Sequence, residues 1–377
     1  MAKNGSHLKG ITMSLLPYNI LPAGIFLILF SVSLSASLSS FSVFAATQKS
    51  FPLDANSIVL KAKALNAQGK YKDAFTLLKA APKNPASYAA IISNLANIDM
   101  DDAEEAANEA VSAFPKSAKL HYLRGVIMGN QAQRSIFSAL GYAEKSLNSF
   151  VKATELEPTM VKYRKALMSF YLAAPSIAGG DEELALVQLK AIQKADALEG
   201  VSSQVAFYQM TNKPEKATQA LQKAITDFPY EINFVFRLAT YYAQQEDYKQ
   251  ALPLFQQAAE MPKPEFAIDP ITGETQSSYI RNMSAKLNAL YQVGRTAVVT
   301  NENTEEGLAA MDKLQAAVES SKLDTNNLPN MEWAKARIVE LYIQSGDKKA
   351  ASDLLMSVLV TDNKDLKKQV HKLKKQL

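Results

Sequence analysis

The stretch Ile232–Pro262, INFVFRLATYYAQQEDYKQALPLFQQAAEMP, decides how the rest of the chain is read. Leu238, Ala239 and Tyr242 fall on one helical face, and Tyr248, Ala251, Phe255 and Ala258 on a second. Apolar residues at three and four spacing predict two amphipathic helices in succession. Each residue type has a use. Small Ala239 and Ala251 let the two helices approach closely, while Leu and aromatic side chains fill the groove between neighbours. Pro262 follows because proline lacks the amide hydrogen that would carry the helix on.

The same anchors recur on both sides. Tyr71, Ala74, Leu78 and Ala81 precede Pro85, and Ala103, Ala107 and Ala110 precede Pro115. Gly125 and Met128 belong with Phe150 and Ala153 before Pro158, and Ala217, Leu221 and Ala224 precede Pro229. Ala217 and Ala251 stand 34 residues apart, and Pro158 and Pro229 stand 71 apart, about two such periods. A divergent unit is therefore expected between those prolines, with Tyr163, Ala166 and Phe170 in its first helix and Ala185 and Leu189 in its second. Further on, Leu290, Ala310, Leu314 and Ala317 mark one unit and Tyr342, Gly346, Ala351 and Leu355 another.

This pattern resembles the tetratricopeptide repeat (TPR), whose signature places a large residue, Leu-Gly or Leu-Ala and Tyr on helix A, and Tyr, Ala, Phe or Leu, Ala and Pro on helix B. The resemblance implies an all-α, TPR-like α-solenoid, a right-handed superhelix of antiparallel helix pairs with about eight repeats over residues 54–361. A generic helical bundle would not repeat Ala and Pro at this interval. Three connections are longer than the repeat requires: Asn130–Phe137, Ala173–Asp181 and Pro262–Thr275. Insertions in a solenoid emerge on one face, which is often the binding face.

Ahead of the array, no side chain between Lys9 and Lys49 is charged, and Ile20–Leu38 is dominated by Ile, Leu, Phe, Val, Ala and Ser. With Lys3, His7 and Lys9 as a weakly basic start and Val43-Phe44-Ala45 as a cleavage site, residues 1–45 read as a signal peptide, followed by a short linker at 46–53. The alternative is a retained anchor, since about 20 apolar residues span a bilayer. The expected location is periplasmic, or anchored in the inner membrane facing the periplasm.

Composition narrows the chemistry. The 41 basic and 37 acidic residues nearly balance, so the chain lacks the electrostatic footprint of nucleic-acid binding. With no cysteine it can hold no disulfide, thiolate zinc site or iron–sulfur cluster. There is no paired-histidine metal motif among His7, His121 and His371. Gly69-Lys70 lacks the first Gly and the Ser or Thr of a phosphate loop. Asp99-Met100-Asp101-Asp102 lacks the third ligand, the Gly and the final Glu of a calcium loop. It reads as helix capping by Asp101 or Asp102, with Glu104 and Glu105 favouring the helix dipole. Gly179-Gly180-Asp181 reads as a turn and a cap for a helix starting near Glu182. No catalytic residue, metal or cofactor is expected.

The TPR resemblance implies a concave surface lined by the first helices of the pairs. By register, the lining comprises Tyr122, Arg164, Tyr171, Gln209, Asn233, Phe236, Thr240 and Gln244, a polar and aromatic set suited to a peptide, with Arg164 placed to take a carboxylate at two points. The grip of chaperone-binding TPRs on a C-terminal carboxylate does not carry over. Ser202, Ala206, Phe236 and Thr240 occupy the places of its Lys and Asn.

Lys364–Leu377 puts Leu366, Val370, Leu373 and Leu377 on one stripe among six lysines. Residues 362–377 are expected to form a solvating cap helix, or else a basic patch for an anionic membrane or acidic partner. The functional expectation is an exported scaffold that binds a protein or peptide in its groove within a cell-envelope assembly or export system, without nucleic acid. Membrane contact is expected only through residues 20–45, if retained, or through the C-terminal helix. Two alternatives stand beside it: the helical arm of a cell-wall or carbohydrate-active enzyme, and a membrane-anchored, self-assembling scaffold.

Overall fold

The computed structural model describes residues 55–135, 137–268, 276–323, 327–360 and 363–377. The signal segment, the linker and the far end of the Pro262–Thr275 connection lie outside the described residues.

Within them the chain forms eight successive helix pairs. These are α1 (Ala55–Ala67) with α2 (Tyr71–Leu78), α3 (Pro85–Leu95) with α4 (Met100–Ala113), α5 (Ala118–Arg134) with α6 (Ala139–Leu156), and α7 (Val161–Ala173) with α8 (Glu182–Ala195). They continue as α9 (Ala197–Met210) with α10 (Pro214–Asp227), α11 (Ile232–Gln244) with α12 (Tyr248–Glu260), α13 (Ser277–Thr300) with α14 (Thr304–Glu319), and α15 (Met331–Ser345) with α16 (Lys348–Leu355). A last helix, α17 (Lys364–Lys374), closes the array. Each helix packs on the next, and first helices also meet first helices, α1 with α3, α3 with α5, α7 with α9, α11 with α13 and α13 with α15. Such stacking of like on like is the geometry of an α-solenoid.

The small-residue anchors account for the close packing. Ala74, Ala103, Ala107, Ala110, Ala153, Ala185, Ala239, Ala251, Ala258 and Ala351 are fully buried, as are Leu78, Phe255 and Leu314. Gly125 goes further: a β-carbon there would stand 2.6 Å from two carbons of the Phe150 ring. In the divergent unit Tyr163 and Leu189 are buried as expected, but Ala166 and Phe170 are only half-buried, and Leu167, Met168 and Tyr171 take the inner face of α7.

Several local readings change. The connection expected at Asn130–Phe137 is mostly helix, because α5 continues to Arg134. Buried Gln131 holds that extra turn by donating to Asp101 and Glu104 of α4, at 2.7 and 3.1 Å. The cap of α4 is Asp99, not Asp101 or Asp102; its carboxylate accepts from the amides of both. Asp181 caps α8 by accepting from Leu184. The turn before it is built for glycine: Gly179 has φ +92°, and a β-carbon on Gly180 would lie 1.7 Å from the Ala174 carbonyl oxygen. The described part of the connection after α12 folds back, with Phe266 edge-on to Tyr279 at 5.1 Å.

The C-terminal stripe is covered. Leu366, Val370 and Leu373 are buried against Ala336, Val339, Ala351 and Leu355, so α17 seals the open side of the last pair. Among the described residues no helix is long and apolar enough to cross a membrane.

Candidate partner-binding surface

The eight residues expected to line the groove divide by environment. Tyr122 is half-buried between repeats, 5.2 Å from Tyr163 and 6.1 Å from Phe150 by ring centroids, with the Lys162 ammonium over its face at 4.7 Å. Tyr171 retains 9% exposure inside the same aromatic cluster, and burial raises its phenol pKa, with Asp181 adding to the effect. Phe236 lies 5.8 Å from Phe255 and packs on the core of the sixth and seventh pairs. These three rings hold neighbouring units together.

The polar members are partly engaged as well. Arg164 turns its fork onto its own repeat: Nε donates to the Pro158 carbonyl at 2.5 Å and Nη1 to Gln188 at 2.9 Å. A two-point carboxylate grip would have to displace both. Thr240 donates to the Phe236 carbonyl at 2.8 Å. The backbone N–H of Asn233 donates to Asn282 Oδ1 at 3.1 Å. Gln209 is exposed and accepts from Arg237 at 3.4 Å, and Gln244 is exposed at the end of α11. Gln209 and Arg237 thus link α9 to α11 at the surface through one long hydrogen bond, whereas Tyr122, Arg164 and Tyr171 belong to the third and fourth pairs.

A polar network that register alone did not indicate runs along the starts of the first helices. Lys165 of α7 pairs with Glu199 of α9 at 2.7 Å. Arg281 of α13 pairs with Glu199 at 3.3 Å and with Glu231, the residue before α11, at 3.2 Å. Asn282 donates to Glu231 at 3.0 Å while accepting from Asn233. The network joins four consecutive units. Its acids also sit where a helix start favours negative charge: Glu199 in the first turn of α9 and Glu231 at the N-cap of α11. In the sequence each looks like an ordinary helix-start acid, and only the fold reveals their common partner.

No protein-family model and no curated protein matches the sequence. Among solved structures the chain is similar to a tetratricopeptide repeat protein from Parabacteroides merdae, at 13% identity over 76% of this chain and 98% of that one, with a TM-score of 0.43. It is similar to a TPR protein of Thermus thermophilus at 17% identity over 50% of this chain and 99% of that one, with a TM-score of 0.41. Yeast Tom70 aligns at 17% identity over 89% of this chain and 66% of its own, with a TM-score of 0.54.

The chain has the tetratricopeptide-repeat fold. In TPR terms, odd-numbered helices α1–α15 are the A helices and even-numbered α2–α16 the B helices, while α17 packs on the eighth pair. The groove-lining candidates all lie on A helices, and the Lys165–Glu199–Arg281 network ties TPR units four to seven together along the starts of those helices. Among the described residues no group of three or more His, Asp or Glu gathers to hold a metal ion.

Proposed function

We propose that this TPR solenoid is an exported scaffold that binds a protein or peptide along the face presented by its A helices, within a cell-envelope assembly or export system. The observation that carries the reading is the side-by-side contact of successive A helices, α11 with α13 and α13 with α15 among them. Such stacking merges their free faces into one surface longer than any single helix, as an extended segment requires. Exposed Gln209 and Gln244 and half-buried Thr240 offer that segment amide and hydroxyl partners without supporting the core. Tyr122, Tyr171 and Phe236 shape the floor.

The test replaces only residues that carry little packing. Gln209→Ala, Thr240→Ala and Gln244→Ala are combined, and proteins co-purifying from envelope extracts are quantified against the unaltered chain. Loss of a co-purifying protein by about tenfold, about 1.4 kcal/mol of binding, supports the surface; undiminished recovery removes it. N-terminal sequencing of the cellular protein tests export. A start at Ala46 supports a cleaved signal and Met1 in the membrane fraction supports an anchor, while Met1 in the cytosol overturns both.

A further inference from the structure

Two faces of opposite charge, one on α17 and one on α4, turn outward. Lys364, Lys367, Lys368, Lys372 and Lys374 on α17, and Lys375 at its C-cap, are all exposed, and none forms an ion pair among the described residues. With about 100° per residue, Lys364, Lys368, Lys372 and Lys375 fall on the side of α17 away from its buried stripe of Leu366, Val370 and Leu373, and Lys367 and Lys374 flank that stripe. Lys348 and Lys349 at the start of α16 are exposed on the same terminal pair, and Lys348 Nζ reaches the Gln376 carbonyl at 3.5 Å. Lys368, Lys372 and Lys375 line a depression together with Trp333, Gln369, His371 and the single acid Asp365.

Far away in the chain, α4 has the opposite character. Its outer side carries exposed Asp101, Asp102, Glu105 and Glu109, and Asp101, Glu105 and Glu109 rim a second depression together with Glu104 and Asn108. Among the described residues Asp101, Asp102 and Glu105 form no ion pair, and Glu109 pairs with exposed Lys83 at 2.7 Å.

We propose that the lysine face of α17 docks on the acidic face of α4 in a second copy of this chain, end against flank. The match is one of register as well as sign. Lys364, Lys368 and Lys372 recur every fourth residue, as do Asp101, Glu105 and Glu109, so each row runs about 12 Å along its helix. Rows of equal pitch on two helices bring opposite charges together on successive turns, with Glu109 shared between the incoming lysine and Lys83. An anionic lipid surface would be drawn to the lysines alone and would leave the α4 row without a role. Because the two faces differ, the contact is heterologous: each copy keeps one unused face at either end, and association grows into rings or open chains rather than stopping at a symmetric pair. The contact does not involve the A-helix surface, so it stands or falls independently of partner binding there.

Sedimentation velocity of the full chain in a mild non-ionic detergent, at low and physiological salt, tests the proposal. The expected result is concentration-dependent association that weakens about tenfold as salt screens the rows. Reversal of α17 alone (Lys364→Glu, Lys368→Glu, Lys372→Glu), or of α4 alone (Asp102→Lys, Glu105→Lys, with the Asp99 cap and the Asp101–Gln131 hydrogen bond left intact), should return the chain to monomer. Mixing the two reversed chains should restore assembly, because each supplies the face the other has lost. Circular dichroism melts confirm that both variants fold. A chain monomeric at every concentration overturns the proposal, as does association indifferent to either reversal. Binding to anionic vesicles that survives reversal of α4, with no self-association, assigns the lysines to a membrane instead.

Discussion

Arg281 forms an ion pair with Glu199 at 3.3 Å although 82 residues and one complete helix pair separate them. A solenoid held only by nearest neighbours has no such contact. The three side chains of the Glu199–Arg281–Glu231 bridge are each 25% exposed or less, so solvent screens them less than a surface pair. Arg281→Gln should lower stability by about 1–2 kcal/mol, since it removes two charge-assisted hydrogen bonds and leaves two carboxylates facing each other. Hydrogen exchange should quicken in α9, α11 and α13 and stay unchanged in α1–α4.

Gly125 lets α5 and α6 close against each other. Phe150 cannot swing away from a new β-carbon, because Tyr122 and Phe170 flank its ring at 6.1 and 6.4 Å. Gly125→Ala is expected to cost about 1–3 kcal/mol by overpacking, visible as a lower thermal midpoint. Gly141→Ala on α6, where nothing lies within 4 Å of the added carbon, should instead stabilise slightly through helix propensity.

Tyr163 gives the fold an alkaline limit. Burial, with smaller contributions from Glu157 and Tyr122, pushes its phenol up to about 12 from the ordinary 10.0. Below pH 10 the phenol is neutral in both states and its packing contributes fully. From pH 10 towards 12 the unfolded chain ionises while the folded chain holds its proton, so stability falls through that window. Urea midpoints should decline with pH there, and Tyr163→Phe should decline less steeply.

Lys286 ends α12 from a distance. Its ammonium reaches from α13 to donate to the carbonyls of Ala259 and Met261, the latter at 2.5 Å, and burial holds its pKa below the usual lysine value. Lys286→Met keeps the stem and removes the donors, leaving the end of α12 without its partner. A loss of about 1–3 kcal/mol is expected in chemical denaturation. The same change at exposed Lys367 should leave stability within about 0.5 kcal/mol.

The solenoid was legible because its packing is local and periodic. Ala251, Phe255 and Ala258 sit at spacings that identify a helix face, and the fold buries all three completely. What escaped the sequence depends on distant partners. The last turn of α5 exists because Gln131 finds Asp101 and Glu104 on another helix, and no local pattern records that. The same holds for Arg281, whose two acids lie in different units. Register placed Tyr122, Tyr171 and Phe236 on A helices, but it could not separate a ring facing the groove from one wedged between units, because the two directions differ by less than a helix turn. Asp99 rather than Asp101 caps α4 because a run of three acids offers three candidate caps, and only the backbone angle at Asp99, φ −148°, selects among them.

The closing helix occupies the face on which a further unit would stack. Another helix pair continuing the array would have to lie where α17 rests on Val339 and Leu355. A unit stacked directly on α15 and α16 would first have to displace α17 from those residues.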